Sequence, residues 1–336
     1  MRFALRCGIF ALIAASAVHA FPAAAQKTDS AEKIEITARE VAGFDKRDPK
    51  PARFGELEFV GGLVLQSKFK HFGGISGLHI LSDGASFVAH SDRAFWLRGK
   101  FRFDGNRIIG IEQAEMAPMR GPDGRTLASR KWFDTESIAA DGDTLYIGIE
   151  RANQVLRYRL SEGMTARGIP IPAPSGIRRL PFNQGLEALA FVPRSMPLGG
   201  ALLAISERGL DENGNIIAFI IGGGTPGTFA VKRTDQFEIS DAAISPSGHL
   251  VILERYYRFL TGIHMLIRAI PLSEIRPGAL VEGKVLIEAD SNFEIDNMEA
   301  LAITKGANGE ILLTLMSDNN FNFFQRSMLL RFVWRQ

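Results

Sequence analysis

Five short stretches of this chain repeat one pattern: "GISGL" (74–78), "TESIAA" (135–140), "LEALAF" (186–191), "SDAAIS" (240–245) and "MEALAI" (298–303). Aligned on Ser76, Glu136, Glu187, Asp241 and Glu299, they stand 60, 51, 54 and 58 residues apart. Each leads through a turn, such as "SDGA", "ADGD" or "KGANGE", into an apolar run: "SFVAH", "TLYIGI", "ALLAIS", "LVILE" or "ILLTLM". Asp-Gly and Asn-Gly between apolar runs are hairpin signals. Each run ends on a second motif: "SDR" (91–93), "ER" (150–151), "SER" (206–208), "ER" (254–255) or "SDN" (317–319). A third strand follows in most copies ("QVLRYRL", "NIIAFII", "HMLIRAI", "SMLLRFVW"), and "TFAVKR" and "GKVLIEA" suit a fourth. Four short strands in about 50–60 residues is the period of a β-propeller blade. The expected fold is therefore all-β, a propeller of four-stranded antiparallel blades.

Five blades carry the motif pair, and six stay open, because "KIEITA" (33–38) and "ELEFVGGLVL" (56–65) lack it. Those strands either complete the blade begun by the last repeat or belong to a sixth. The stretch 98–131, rich in Arg and Lys, reads as an insertion passing over one face or a solvated loop.

The N-terminus has the three-part layout of a secretory signal peptide. Arg2 and Arg6 precede the apolar run "GIFALIAASAV", and small-residue cleavage patterns end at Ala20 and Ala25. The run is too short for a membrane anchor. Cleavage after Ala25 leaves 26–336 as one domain, periplasmic or secreted, with no later membrane span. Cys7 is the sole cysteine and leaves with the signal, so the mature chain has no disulfide or thiolate metal site. Arg2 and Arg6 are the only Lys, Arg, Asp or Glu residues in 1–25, so the mature domain holds 37 Lys and Arg against 37 Asp and Glu. That balance argues against a nucleic-acid partner.

In a propeller the innermost strand lines a central channel, and the second strand runs back beside it. The start of the first and the end of the second share one face. Both motifs therefore gather at one mouth. The expected inventory is Asp92, Glu136, Glu150, Glu187, Glu207, Asp241, Glu254, Glu299 and Asp318, against Arg93, Arg151, Arg208 and Arg255. Crowded carboxylates cannot all ionise without compensation. A hard cation, Arg pairing or raised pKa values would supply it. Oxygen ligands favour Ca²⁺, with Mg²⁺ second, and Asn183, Asn297, Asn319 and Asn320 offer neutral oxygens. The alternative is a ring of salt bridges between blades, which explains the repetition well and the surplus of acid less well.

Other features carry less. Ser76, His90 and Asp92 allow a drawn triad, but triads are recognised by geometry, and "GGISGL" is no nucleophile elbow because Leu78 stands two after the serine. "GLDENGN" (209–215) reads as a polar turn, "GGGTPG" (222–227) as a loop, and "NNFNFFQR" (319–326) as an aromatic floor or cover for the channel.

Taken together, "GGISGL", "WFDTESIA", "NQGLEALAF", "ISERG", "LERYY", "NMEALA" and "MSDNNF", in order over 73–321, resemble the phytase-like family, described as "esterase-like activity of phytase". The resemblance implies a secreted or periplasmic propeller that hydrolyses phosphate or carboxylic esters. The Asp-Asp-Pro-Ala signature of the calcium-dependent propeller phytases is absent. The expected roles are Glu187, Glu207 and Glu254 in catalysis, and Glu136, Glu187, Asp241, Glu299 and Asp318 around a metal. Arg93, Arg151, Arg208, Arg255 and Asn319 would contact a small ester or phosphoester. A monomer is expected. A non-catalytic binding propeller with a structural Glu-Arg ring is the alternative, and a calcium lactonase-like propeller a third reading.

Overall fold

The computed structural model describes residues 30–182 and 184–335. The chain forms five sheets, each headed by an inner strand on one of the repeated motifs. Numbered by chain order, the inner strands of blades 1 to 5 are Ile75–Ile80, Thr135–Asp141, Leu186–Phe191, Glu238–Ile244 and Met298–Lys305. They stand side by side in a closed ring, blade 5 beside blade 1. The second strands, Ser86–Ser91, Thr144–Ile149, Ala201–Leu210, His249–Arg258 and Ile311–Ser317, return antiparallel to them. Four of the hairpins between them turn on a glycine at positive φ (Gly84, Gly142, Gly248 and Gly309), which explains the Asp-Gly, Ser-Gly and Asn-Gly signals.

The apolar runs do not alternate because these strands are buried on both faces. Val251 and Leu253 pack toward blade 5, whereas Leu250 and Ile252, on the same strand, pack toward blade 3. Each of the five core clusters lies between one pair of neighbouring blades, so every blade is a filling between two others. A strand with both faces covered reads as a continuous hydrophobic run.

The ring closes by the first of the two routes open to the N-terminal strands. Leu57–Gln66 pairs antiparallel with Ser327–Trp334, and Thr37–Glu40 adds outside it, so N-terminal residues complete blade 5 and there is no sixth blade. One expectation is corrected. Residues 98–131 are not an excursion over a face: Phe95–Asp104 and Arg107–Pro118 are the long outer strands of blade 1, followed by a short turn region ending at a 3-10 segment, Ala128–Arg130. The Arg and Lys that suggested a loop alternate outward along the first of these strands: Arg98, Lys100 and Arg102 are exposed between buried Leu97, Gly99 and Phe101. Among the described residues no helix is long and apolar enough to cross a membrane. The signal segment lies outside the described residues.

Candidate functional site

The geometry of the mouth comes from one irregularity, repeated in every blade. The pairing of inner and second strand skips a residue at Ser76, Glu136, Glu187, Ser240 and Glu299. A bulge re-aims the extra residue and stops the ladder, a device common next to active sites. The residue before each bulge pairs with Ser91, Ile149, Ser206, Glu254 or Ser317 of the second strand, and the next residue on that strand is Asp92, Glu150, Glu207, Arg255 or Asp318.

This register corrects the fourth repeat by one residue. Ser240, not Asp241, is equivalent to Glu187, and Arg255, not Glu254, is equivalent to Glu207. Because strand side chains alternate, a one-residue slip reverses which way each points. Asp241 is buried, and its two oxygens accept the backbone N–H groups of Ala242 (2.8 Å) and of Leu301 on blade 5 (2.6 Å). It ties two inner strands together and is not a ligand at the mouth. Replacing it with alanine leaves two buried donors unpaired and should cost about 2–4 kcal/mol. The expected result is a lower melting temperature by calorimetry with any response to added cation intact. Glu254 likewise leaves the site. Both its oxygens are held by Arg268, at 2.6 and 2.7 Å, and Arg268 donates on to the backbone oxygens of Lys232 and Glu282. A carboxylate closed in this way has no catalytic reach.

The motif positions therefore bring seven carboxylates to the mouth, Asp92, Glu136, Glu150, Glu187, Glu207, Glu299 and Asp318, with Arg255 among them. Arg255 reaches Glu299 at 2.9 Å, Glu207 at 3.7 Å and Glu187 at 3.9 Å. Burial works against its charge, but those carboxylates outweigh it and hold the guanidinium above its ordinary value. Arg255, with Arg93 and Arg151 acting from the rim on Asp92 and Glu150, does not offset these acids, and the proton affinities of Asp92, Glu136, Glu150, Glu187, Glu207 and Asp318 register their burial and crowding. Burial, then Glu207, Glu136 and Glu150, push Glu187 well above the carboxylate range. Burial does the same to Glu136, with Glu299 and Asp134 adding. Glu150 rises to about 7 through burial, restrained by the Gly185 N–H at 2.9 Å. Glu207 rises to about 7 through burial, restrained by Arg255. Burial lifts Asp318 to about 9, with Glu299 and Asp92 adding, and Asp92 to about 6.

Two trios are close enough to share an ion. Carboxylate oxygens of Glu150, Glu187 and Glu207 lie within 4.8 Å of one another, as do those of Asp134, Glu136 and Glu150. Glu150 belongs to both. Of the expected metal ligands, Glu136 and Glu187 fall in these trios. Glu299 instead accepts hydrogen bonds from Asn297 (2.7 Å) and Arg255, and the Asp318 carboxylate accepts the Asn320 N–H. Sequence reasoning missed Asp134. Its backbone is left-handed, φ 70°, and is held by the Asp92 carbonyl, which accepts its N–H at 2.6 Å. Such strain concentrates at functional sites, and the available signal was the second acid two residues before Glu136 in "FDTE".

Three of the four arginines expected to meet substrate instead brace the rim. Arg151 pairs with Asp134, Arg208 with Glu238 of blade 4 at 2.9 Å, and Arg93 stacks 3.4 Å over the ring of Phe321. Asn319 serves the seam where blade 5 meets blade 1: its side-chain oxygen accepts the Gly74 N–H at 3.0 Å and the Phe321 N–H at 3.2 Å. Gly73 and Gly74 are required there. A Cβ at Gly73 would meet the Asn319 side chain at 2.5 Å, and one at Gly74 would meet Asp92 at 2.1 Å. Asn183 lies outside the described residues. The drawn triad does not form: the Ser76 hydroxyl donates to the Gly74 carbonyl, and neither buried nitrogen of His90 has a hydrogen-bond partner.

Comparison with known proteins bears on the family more than on the chemistry. No curated protein matches the sequence. Among solved structures, an endo-arabinase from Bacteroides thetaiotaomicron is 11% identical, with 80% of this chain and 96% of that one covered at a TM-score of 0.47. A glutaminyl cyclase from Myxococcus xanthus is 9% identical, covering 91% and 100%, with a TM-score of 0.41. The structure of U3-55K is 10% identical, covering 79% and 96%, with a TM-score of 0.39. The sequence model of one family matches residues 70–321, which run from the seam glycines through all five motif pairs to Phe321, and on that match the chain belongs to the Phytase-like family, described as esterase-like activity of phytase.

Proposed function

We propose that the protein hydrolyses an ester or phosphoester at the acidic mouth, with the aid of a hard divalent cation, calcium ahead of magnesium. The observation that carries this reading is the buried trio Glu150, Glu187 and Glu207, three carboxylates converging without enough positive charge to compensate them. Their raised proton affinities are what a cation would relieve. The donors are all oxygen, which suits calcium and magnesium and disfavours softer metals. Glu150, Glu187 and Glu207, or Glu150 with Asp134 and Glu136, would hold the ion. When bound it would neutralise charge on the ester or phosphoester oxygens.

The chain's own residues then have separable tasks. Arg255, which reaches Glu187, Glu207 and Glu299 and is 24% exposed, is suited to hold a substrate oxygen by charge-assisted hydrogen bonds. With the ion held by Asp134, Glu136 and Glu150, Glu207 stays off the metal, and its pKa, near 7 through burial, suits it to accept and return a proton at neutral pH. Glu299, at 2.9 Å, orients Arg255, and Glu187 stands 3.9 Å from the same guanidinium. The layout of the first 25 residues supports work outside the cytoplasm, in the periplasm or medium.

p-Nitrophenyl acetate and p-nitrophenyl phosphate, each offered with calcium and with EDTA, test this. Calcium-dependent release of nitrophenol from one of them is expected, with kcat about 10²–10⁴ lower in Glu207→Gln and unchanged in Asp241→Ala. Activity indifferent to Glu207→Gln would end this assignment. A second reading has its own support. Arg208–Glu238 and Arg255–Glu299 each join one blade to the next, as a structural ring in a non-catalytic binding propeller would. Absence of turnover on both esters, with the stability of Arg208→Gln reduced, would favour it.

A further inference from the structure

The six most exposed large apolar side chains among the described residues are Phe182, Tyr257, Phe259, Leu260, Phe323 and Phe324, and all lie on the face of the mouth. Topology places them there. Phe182 sits just before the inner strand of blade 3, Tyr257 to Leu260 form the end of the hairpin that extends blade 4 beyond Arg255, and Phe323 and Phe324 are in the loop after Asp318 of blade 5. Phe259 is 89%, Leu260 91%, Phe323 96% and Phe324 88% exposed, whereas the most exposed apolar residue elsewhere, Leu280, reaches 57%. Single exposed apolar residues need no explanation, but a set confined to one face does.

These are protruding tips, not a groove. They form an arc over three adjacent blades, and the loops that bear them are short of other apolar exposure. The loops that bear them carry charge of one sign, unlike the acid-lined channel they surround and the neighbouring blade 3 hairpin with Asp211 and Glu212. The segments 175–185, 256–262 and 319–326 contain Arg178, Arg179, Arg258 and Arg326 and no carboxylate. Arg178, Arg179 and Arg258 are exposed, while Arg326 is tied to Glu294 and Asp296. Aromatic and leucine side chains at loop tips, flanked by arginine, match the layered chemistry of a lipid interface: apolar groups at the acyl boundary and cations at anionic headgroups.

We propose that the mouth face docks on an anionic phospholipid surface through these tips, which would present the acidic site to the membrane. The claim does not depend on the hydrolytic reading, because binding is measured without turnover.

The test is flotation of the protein with vesicles of phosphatidylethanolamine and phosphatidylglycerol, and with phosphatidylcholine alone, all in EDTA. Binding to the anionic vesicles is expected, weakening as salt is raised. The variant Phe259→Ser/Leu260→Ser/Phe323→Ser/Phe324→Ser should bind at least about a hundredfold more weakly. Arg178→Gln/Arg179→Gln/Arg258→Gln should lose the preference for phosphatidylglycerol and the salt dependence. Melting temperatures of both should stay at the wild-type value, since the side chains are exposed. Failure of the wild type to float with anionic vesicles would overturn the proposal. So would binding that needs calcium and survives the tip substitutions, which would put the headgroup at the acids. Capture by a protein partner with no vesicle binding would assign the face to that partner instead.

Discussion

Calcium should raise the melting temperature of this protein over its value in EDTA, and the rise should grow between about pH 5 and pH 8. The sign follows from the mouth. Burial holds Asp92 near 6, Glu150 and Glu207 near 7 and Asp318 near 9 in the folded state, against roughly 4 for carboxyls in the unfolded chain. A carboxyl with a raised folded pKa contributes most below its unfolded value, and that contribution is lost as pH climbs to the folded value. In EDTA, then, stability should fall through this window as the acids are forced to ionise beside one another. A cation reverses the loss by compensating the charges once they exist. At a hundred times its dissociation constant one bound ion contributes about 2.7 kcal/mol, or about 4 °C for a chain of this size.

The decisive variant is Glu150→Gln, because Glu150 belongs to both trios. It keeps an oxygen to accept the Gly185 N–H, yet removes a charge that the fold resists. In EDTA at pH 8 it should be at least as stable as the wild type and should lose the calcium response. That combination is the mark of a residue retained for function at the expense of stability. If calcium shifts neither protein, and Glu150→Gln simply melts lower, the mouth is a salt-bridged scaffold.

Arg268→Met should destabilise the fold by about 3–5 kcal/mol, a loss of about 5–8 °C, without touching the calcium response. Arg268 and Glu254 are the most enclosed ion pair of the described residues, 1% and 0% exposed. Removing the guanidinium leaves a carboxylate with no solvent and strips a donor from the carbonyls of Lys232 and Glu282. Breaking a buried pair from one side is costly, whereas replacing both sides by apolar groups is often neutral. The double variant Arg268→Met/Glu254→Leu should therefore recover most of the loss by calorimetry. A single variant as stable as the wild type would mean that Glu254 is satisfied by something other than Arg268.

The two predictions separate residues that looked alike in sequence. Glu207 and Glu254 both precede an arginine after an apolar run, and only one of them faces the mouth. Position along the strand decides this. Leu186 pairs with Ser206, and its equivalent Ile239 pairs with Glu254, so the residue that turns into the channel in blade 4 is Arg255. Alignment by residue type matched acid to acid and slid the fourth repeat by one. The same slip made Asp241 a ligand and concealed Ser240 at the bulge. The arginines misled for a related reason. Arg208 meets Glu238, thirty residues away on the next blade, and no local pattern reports a partner across a blade boundary.

The features legible along the chain are those that recur. Five motif pairs at similar spacing specify five motif-bearing blades and leave a sixth open, hairpin glycines specify the turns, and uninterrupted apolar runs specify strands covered on both faces. These depend on local preference and on burial, and each blade states them again. The acids were likewise legible as a group, since both motifs must open onto one end of the channel. Which of them act together is set by contacts between blades. Bulges set by hydrogen-bond register, the seam closed by N-terminal strands and charge pairs between blades give each carboxylate its direction. A side chain one residue out of step points into a blade interface instead of the channel, because successive residues on a strand face opposite ways.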